Sequence, residues 1–139
     1  MSVNVFVDTN IFVYAHVSGV DAKHDVALDL LRNLLVNKNI YVSTQVLGEF
    51  YVSMVKYKRA HNEISRFMQE IIRDSNVIDV SLTIVEHCLR LRKKYGYSYW
   101  DSLILAAADA SNCEVVYTED MQHDQRVEDR LIIKNPFLL

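Results

Sequence analysis

The chain reads as an α/β fold built on a mostly parallel sheet of four to five strands. Two observations carry this. Short β-branched runs alternate with helix-length amphipathic stretches, and the single proline, Pro136, lies near the end, so nothing interrupts the alternation. At 139 residues, half of them hydrophobic, the chain fits one domain with a substantial core, and we treat residues 1–139 as a single unit.

The elements follow in order. Val3–Val7 is a short, β-branched-rich run, which suits a strand covered on both faces. Thr9 or Asn10 can cap a short helix to about His16, and Gly19 and Asp21 mark a turn. Val26–Leu35 keeps its apolar residues at helical spacing, and Ile40–Ser43 forms the second strand. Thr44–Tyr57 is helical, with Val46, Leu47, Phe50 and Met54 on its inner stripe, and Glu63–Arg73 repeats the pattern. Val77–Val80 is a third strand. Thr83 and Glu86 make a capping box for a helix that stops at Gly96. Ser98 caps a helix running over Asp101–Ser111, apolar on nearly every side and therefore central. Glu114–Tyr117 is a fourth strand and Leu131–Ile133 a fifth.

On this frame four acids fall at one edge. Asp8 follows the first strand, Glu49 lies in the helix after the second, Asp101 opens the central helix, and Asp120 follows the fourth strand. In a parallel sheet the carboxyl ends of the strands share an edge, so distant residues converge there. Ionised carboxylates about 6 Å apart repel by roughly 3 kcal/mol per pair at an effective dielectric of ~20. Such a group opposes folding unless a divalent cation binds. Each acid also has a plain alternative: Asp8 as a helix cap, Glu49 as an exposed helix glutamate, Asp101 as the acid of an S-x-x-D cap, and Asp120 as a turn residue.

The balance of 15 basic and 18 acidic residues, net −3, excludes a blanket nucleic-acid-binding surface and leaves only local patches. Lys56, Lys58, Arg59 and His61 form one, and Arg90, Arg92, Lys93 and Lys94 another. Both also suit helix C-termini. Tyr95, Tyr97, Tyr99 and Trp100 can stack on unpaired bases or serve as core and contact groups. Cys88 and Cys113 lack metal-site spacing and read as buried thiols, and the histidines show no ligand spacing. With no membrane-length apolar run and no secretion signal, the expected location is the cytoplasm.

The strings Val5-Phe6-Val7-Asp8-Thr9-Asn10, Gly48-Glu49-Phe50, Tyr99-Trp100-Asp101-Ser102-Leu103-Ile104 and Tyr117-Thr118-Glu119-Asp120-Met121-Gln122 stand in the order found in PIN-domain ribonucleases. The chain resembles that family, especially the toxin half of VapBC-type toxin–antitoxin modules. The resemblance implies a three-layer α/β/α sandwich and a Mg²⁺ or Mn²⁺ site. That site would be lined by Asp8, Glu49, Asp101 and Asp120, with Thr9, Asn10 and Thr118 beside it. It further implies hydrolysis of RNA phosphodiesters to 5′-phosphate and 3′-hydroxyl ends.

Similar sequences often carry glycine where this chain has Asp124, so the roles of Asp124 and Glu119 stay open. An aspartyl phosphotransferase of the haloacid dehalogenase type also places an Asp after its first strand, but it wants D-x-D where Asn10 stands here. A non-catalytic PIN-like module that binds RNA or protein is the other alternative. The apolar faces of Val26–Leu35 and Glu63–Met68, with the tail Phe137-Leu138-Leu139, predict a homodimer and a small antitoxin partner lying in a groove.

Overall fold

In the computed structural model, residues 3–19 and 22–138 are described. Asp21 and Leu139, named above, lie outside them. One sheet has the order β3-β2-β1-β4-β6-β5. Its strands are β1 (Asn4–Val7), β2 (Asn39–Ser43), β3 (Asn76–Ile78), β4 (Val115–Tyr117), β5 (Arg126–Val127) and β6 (Leu131–Lys134). All pairings are parallel except β5 with β6. The sheet thus has six strands where the sequence predicts four to five. The extra one, β5, is two residues long, too short to leave a periodic pattern, and forms a hairpin in which Val127 faces Leu131.

The helices are α1 (Thr9–His16), α2 (Lys23–Asn37), α3 (Thr44–Lys56), α4 (His61–Asp74), α5 (Leu82–Tyr95) and α6 (Tyr99–Ala110), followed by a 3₁₀ turn, Pro136–Leu138. Successive residues of a strand point to opposite faces, and Val5, Phe6 and Val7 are all buried, so β1 is covered on both sides. Helices α1 to α4 pack as neighbours, α5 packs on α6, and α6 lies against β2 and β4. This is a three-layer arrangement. Helix α6 is the most enclosed element, with every residue from Ser102 to Ala108 buried, as its all-round apolar sequence predicts.

Two caps differ from the sequence reading. Asp8 itself caps α1, its Oδ1 accepting from the Thr9 amide at 2.7 Å, so neither Thr9 nor Asn10 does. Leaving β1 in extended backbone puts Asp8 in the cap geometry one residue earlier. The Thr83–Glu86 capping box does not form. Ser81, still extended at φ −91°, accepts from the Ile84 amide at 3.3 Å and starts α5 two residues sooner. Gly96 ends α5 at φ 81°, a left-handed conformation that glycine adopts without steric cost.

The order β3-β2-β1 on one side and β4-β6 on the other makes the β1/β4 boundary a point where the winding reverses. In open α/β sheets, ligand sites form at the carboxyl ends of strands flanking such a point. The amide of Asp8 donates to the Tyr117 carbonyl at 3.0 Å, extending that pairing by one residue and fixing where Asp8 stands.

Candidate active site

A cavity of about 460 Å³ opens at that edge, lined by all four predicted acids, Asp8, Glu49, Asp101 and Asp120, together with Thr9 and Asn10. Asp8 enters from the end of β1, Asp120 from just past β4, Glu49 from the middle of α3 and Asp101 from the first turn of α6. Thr118 stands beneath them, fully buried.

The hydrogen bonds leave little freedom at the centre. The Asp120 amide donates to Thr118 Oγ1 at 3.1 Å, and Asn10 Nδ2 approaches the same oxygen at 3.4 Å. An N–H can only donate, so the single hydroxyl proton of Thr118 goes to Asp8 Oδ2, at 2.8 Å. Thr9 Oγ1 donates to Glu49 Oε1 at 3.1 Å, and Asn10 Nδ2 donates to Asp120 Oδ2 at 3.0 Å. The three polar residues expected beside the acids therefore each orient one of them: Thr118 holds Asp8, Thr9 holds Glu49, and Asn10 holds Asp120.

Asp8 is only 4% exposed. Its pKa is raised to about 7, chiefly by burial, with Asp120 and Glu49 adding repulsion and the bonds from Thr118 and Thr9 opposing the rise. The half-buried Asp101 carboxyl is also pushed up, first by burial and then by Asp120 and Glu49, while Ser98 pulls it down. The cap of α6 is Ser98, which accepts from the Asp101 amide at 3.1 Å, and the Asp101 carboxylate lines the cavity. Among the described residues, no basic side chain forms an ion pair with any of the four.

The donor set suits a hard divalent cation. It offers oxygen only, with no His or Cys among the lining residues. The buried Asn10 Oδ1 has no hydrogen-bond partner, an acceptor left over beside the acids. Among the described residues, no three such side chains yet converge closely enough to hold an ion as they stand. The carboxylates of Asp8, Glu49 and Asp120 are turned instead toward their hydroxyl and amide donors.

The two open acids resolve away from this cavity. Glu119, next to Asp120, accepts from Tyr14 Oη and from Lys23 Nζ, the latter at 2.8 Å. Asp124 adopts φ 67°, the left-handed conformation that glycine would otherwise supply and that Asp tolerates. Its carboxylate pairs with Lys134 and, at 3.3 Å, with His123 Nε2, and the Lys134 hydrogen bond lowers its pKa.

Of the basic patches, only Lys56 lines the cavity. Arg59 pairs with Glu63, and Arg90 and Lys94 engage His87 and Glu128. Trp100 also lines the cavity, as do Gly48 of the Gly48-Glu49-Phe50 string and Gln45, which the sequence did not single out. Cys88 and Cys113 are buried and unpaired, and burial pushes the Cys113 thiol up to about 12.

Comparison with known families settles the lineage, because the PIN domain model matches residues 5–128. The chain belongs to the PIN domain family. The haloacid dehalogenase alternative is not favoured. This PIN fold is also shared with solved structures. VapBC2 from Rickettsia felis, solved bound to a DNA fragment from the promoter, superposes with a TM-score of 0.70 at 24% identity, over 95% of this chain and 98% of that one. A toxin–antitoxin complex from Klebsiella pneumoniae gives 0.70 at 22% identity, over 95% and 97%. VapC20 from Mycobacterium tuberculosis, described as a sarcin–ricin loop cleaving toxin, gives 0.66 at 21% identity, over 84% and 89%. A search of curated proteins returns no match. At these identities the structural likeness speaks for the fold. No helix among the described residues of this PIN domain is long and apolar enough to cross a membrane.

Proposed function

We propose that this PIN domain is a ribonuclease, the toxin of a VapBC-type pair, that hydrolyses RNA phosphodiester bonds with Mg²⁺ or Mn²⁺. The observation that carries the reading is Asp8. A carboxylate 4% exposed, facing three further acids with no cationic partner among the described residues, destabilises the fold unless something positive binds beside it.

Asp8, Glu49, Asp101 and Asp120 would hold the cation. When bound, it offsets the phosphate's charge and lowers the pKa of a water. The chain's own residues do the rest. Thr118, Thr9 and Asn10 each position one carboxylate at the cavity, and the acids draw together from these positions when the cation binds. Lys56, exposed at the cavity wall, offers a phosphate contact. Water forms the new bond to phosphorus and the 3′ oxygen departs, giving the 5′-phosphate and 3′-hydroxyl ends that the family resemblance implies. No side chain is required as a nucleophile.

Cleavage of mixed RNA with and without EDTA, followed by analysis of the new ends, tests this. Cation-dependent cleavage leaving 5′ phosphates supports the proposal. RNA binding without cleavage in either metal favours a non-catalytic module.

The partner proposals rest on surface. A second cavity of about 170 Å³ lies among α1, α2, α4 and β2, with Leu28, Leu31, Leu35 and Ile71 on its walls. Val36, 82% exposed, lies on α2 beside it in sequence. Phe137 contributes less than the sequence suggested, because its ring packs edge-on against Tyr14 at 5.3 Å. We infer that an antitoxin segment occupies this groove, in keeping with the toxin–antitoxin assemblies among the structural neighbours. We infer also that the toxin is a homodimer, which a solution mass measurement checks.

A further inference from the structure

Glycine is the poorest helix former after proline, yet Gly48 sits in the middle of α3. The usual reasons for a glycine are missing. Its backbone is not in the positive-φ region, and an added Cβ would meet nothing within 4 Å. What Gly48 does is border two cavities. One is the acidic pocket. The other, of about 470 Å³, shares Gln45, Gly48, Glu49 and Trp100 with it and continues over Val80 and Leu103. A bare backbone at residue 48 keeps the wall between them low.

The second cavity contrasts with the first in chemistry. Apart from the shared residues, Thr44 alone is polar there. Trp100 forms one side and is 59% exposed. Its backbone is nevertheless fixed, because Gln45 Nε2 donates to the Trp100 carbonyl at 3.1 Å, tying the start of α6 to α3. Tyr99 supports the indole in a T-shaped contact, with ring centroids 5.0 Å apart. A large aromatic surface held firmly in water, next door to a phosphate-cleaving pocket and above an apolar floor, suits a planar ring attached to that phosphate.

We propose that this cleft receives an unstacked nucleobase adjoining the scissile phosphate. Trp100 is the stacking face and Gly48 the gap through which the strand passes. The inference rests on the ribonuclease reading and makes it more specific. The substrate is single-stranded or looped RNA, because a base inside a continuous duplex cannot leave the stack for the cleft without loss of pairing.

Trp100 is the only tryptophan in the chain, so tryptophan emission reports on this one residue. The full chain is titrated with a short fluorescein-labelled single-stranded RNA of mixed sequence, in Ca²⁺ to hold back cleavage, and in parallel with the same sequence as a duplex. Single-stranded RNA should quench Trp100 and the duplex should not. Gly48→Leu, a better helix former that fills the gap, should bind about tenfold more weakly than wild type. Trp100→Ala should raise KM for RNA about tenfold with a smaller change in kcat.

RNA that binds by anisotropy without altering Trp100 emission overturns the proposal, as does Gly48→Leu binding at wild-type strength. Either result leaves cleavage by the wild type, and so the ribonuclease reading, intact. Emission that shifts with protein concentration in the absence of RNA assigns the surface to a second copy and also overturns it. Failure of the wild type to bind or cleave any RNA removes both readings together.

Discussion

Replacing Asp8 with asparagine should make the metal-free protein more stable and the working protein inactive. The folded-state pKa of Asp8 stands at about 7 against an ordinary 3.8. Each pKa unit is worth about 1.4 kcal/mol, so ionising this group costs the native state roughly 4 kcal/mol at a pH well above 7. The sign follows from proton binding. Between 3.8 and about 7 the folded chain keeps a proton that the unfolded chain has lost, so stability falls as pH rises through that window and is level beyond it.

Asparagine removes the charge at nearly constant volume but cannot accept from both the Thr9 amide and the Thr118 hydroxyl with its one oxygen. The lost bond costs about 1–2 kcal/mol. The net gain at pH 8 is therefore about 2 kcal/mol, a rise on the order of 5–10 °C in Tm for a chain of this size. Thermal melts of wild type and Asp8→Asn in EDTA across pH 4 to 9 measure it. The difference should favour the variant at high pH and reverse near pH 4. A variant less stable at pH 8, or a difference independent of pH, refutes the reasoning.

Thr118→Val keeps the shape of the side chain but strands the Asp120 amide and Asp8 Oδ2, so it should lose about 2–3 kcal/mol in denaturant melts and lower RNA cleavage. Ser81→Ala should cost about 1 kcal/mol and Thr83→Ala under ~0.5, because only the former caps α5. Equal losses would contradict that assignment. Gly96→Ala should cost on the order of 1 kcal/mol in the same melts, since alanine is strained at φ 81°.

Much of the frame was legible because burial on both faces leaves a plain mark. The run Val5-Phe6-Val7 and the interior of α6 read directly from their lack of polar residues. The candidate site was legible through topology, since placing acids after strands of a parallel sheet fixes a common edge whatever their separation in the chain.

What stayed hidden depends on contacts between distant segments. Glu119 and Asp120 are adjacent and alike in chemistry. Only the presence of Tyr14 and Lys23 beyond β4 turns Glu119 away from the cavity. At α1, cap and cavity roles fall on one residue, because Asp8 gives one oxygen to each neighbour and still faces the pocket. Just after strand β5, Tyr95 Oη accepts from the Glu128 amide at 2.7 Å and donates to its carboxylate at 3.0 Å, a contact to the hairpin with no local sequence pattern. Gly48 carried a usable signal, a glycine inside a helical stretch.

The central claim is that four carboxylates from four different elements form one cation site. Calorimetric titration of Mn²⁺ into wild type, Asp8→Asn, Glu49→Gln, Asp101→Asn and Asp120→Asn tests it most directly. One saturable binding process in the wild type, weakened at least about tenfold by every one of the four substitutions, is the expected result. Binding that Asp8→Asn abolishes but Asp101→Asn leaves unchanged, or no binding by the wild type, would contradict it.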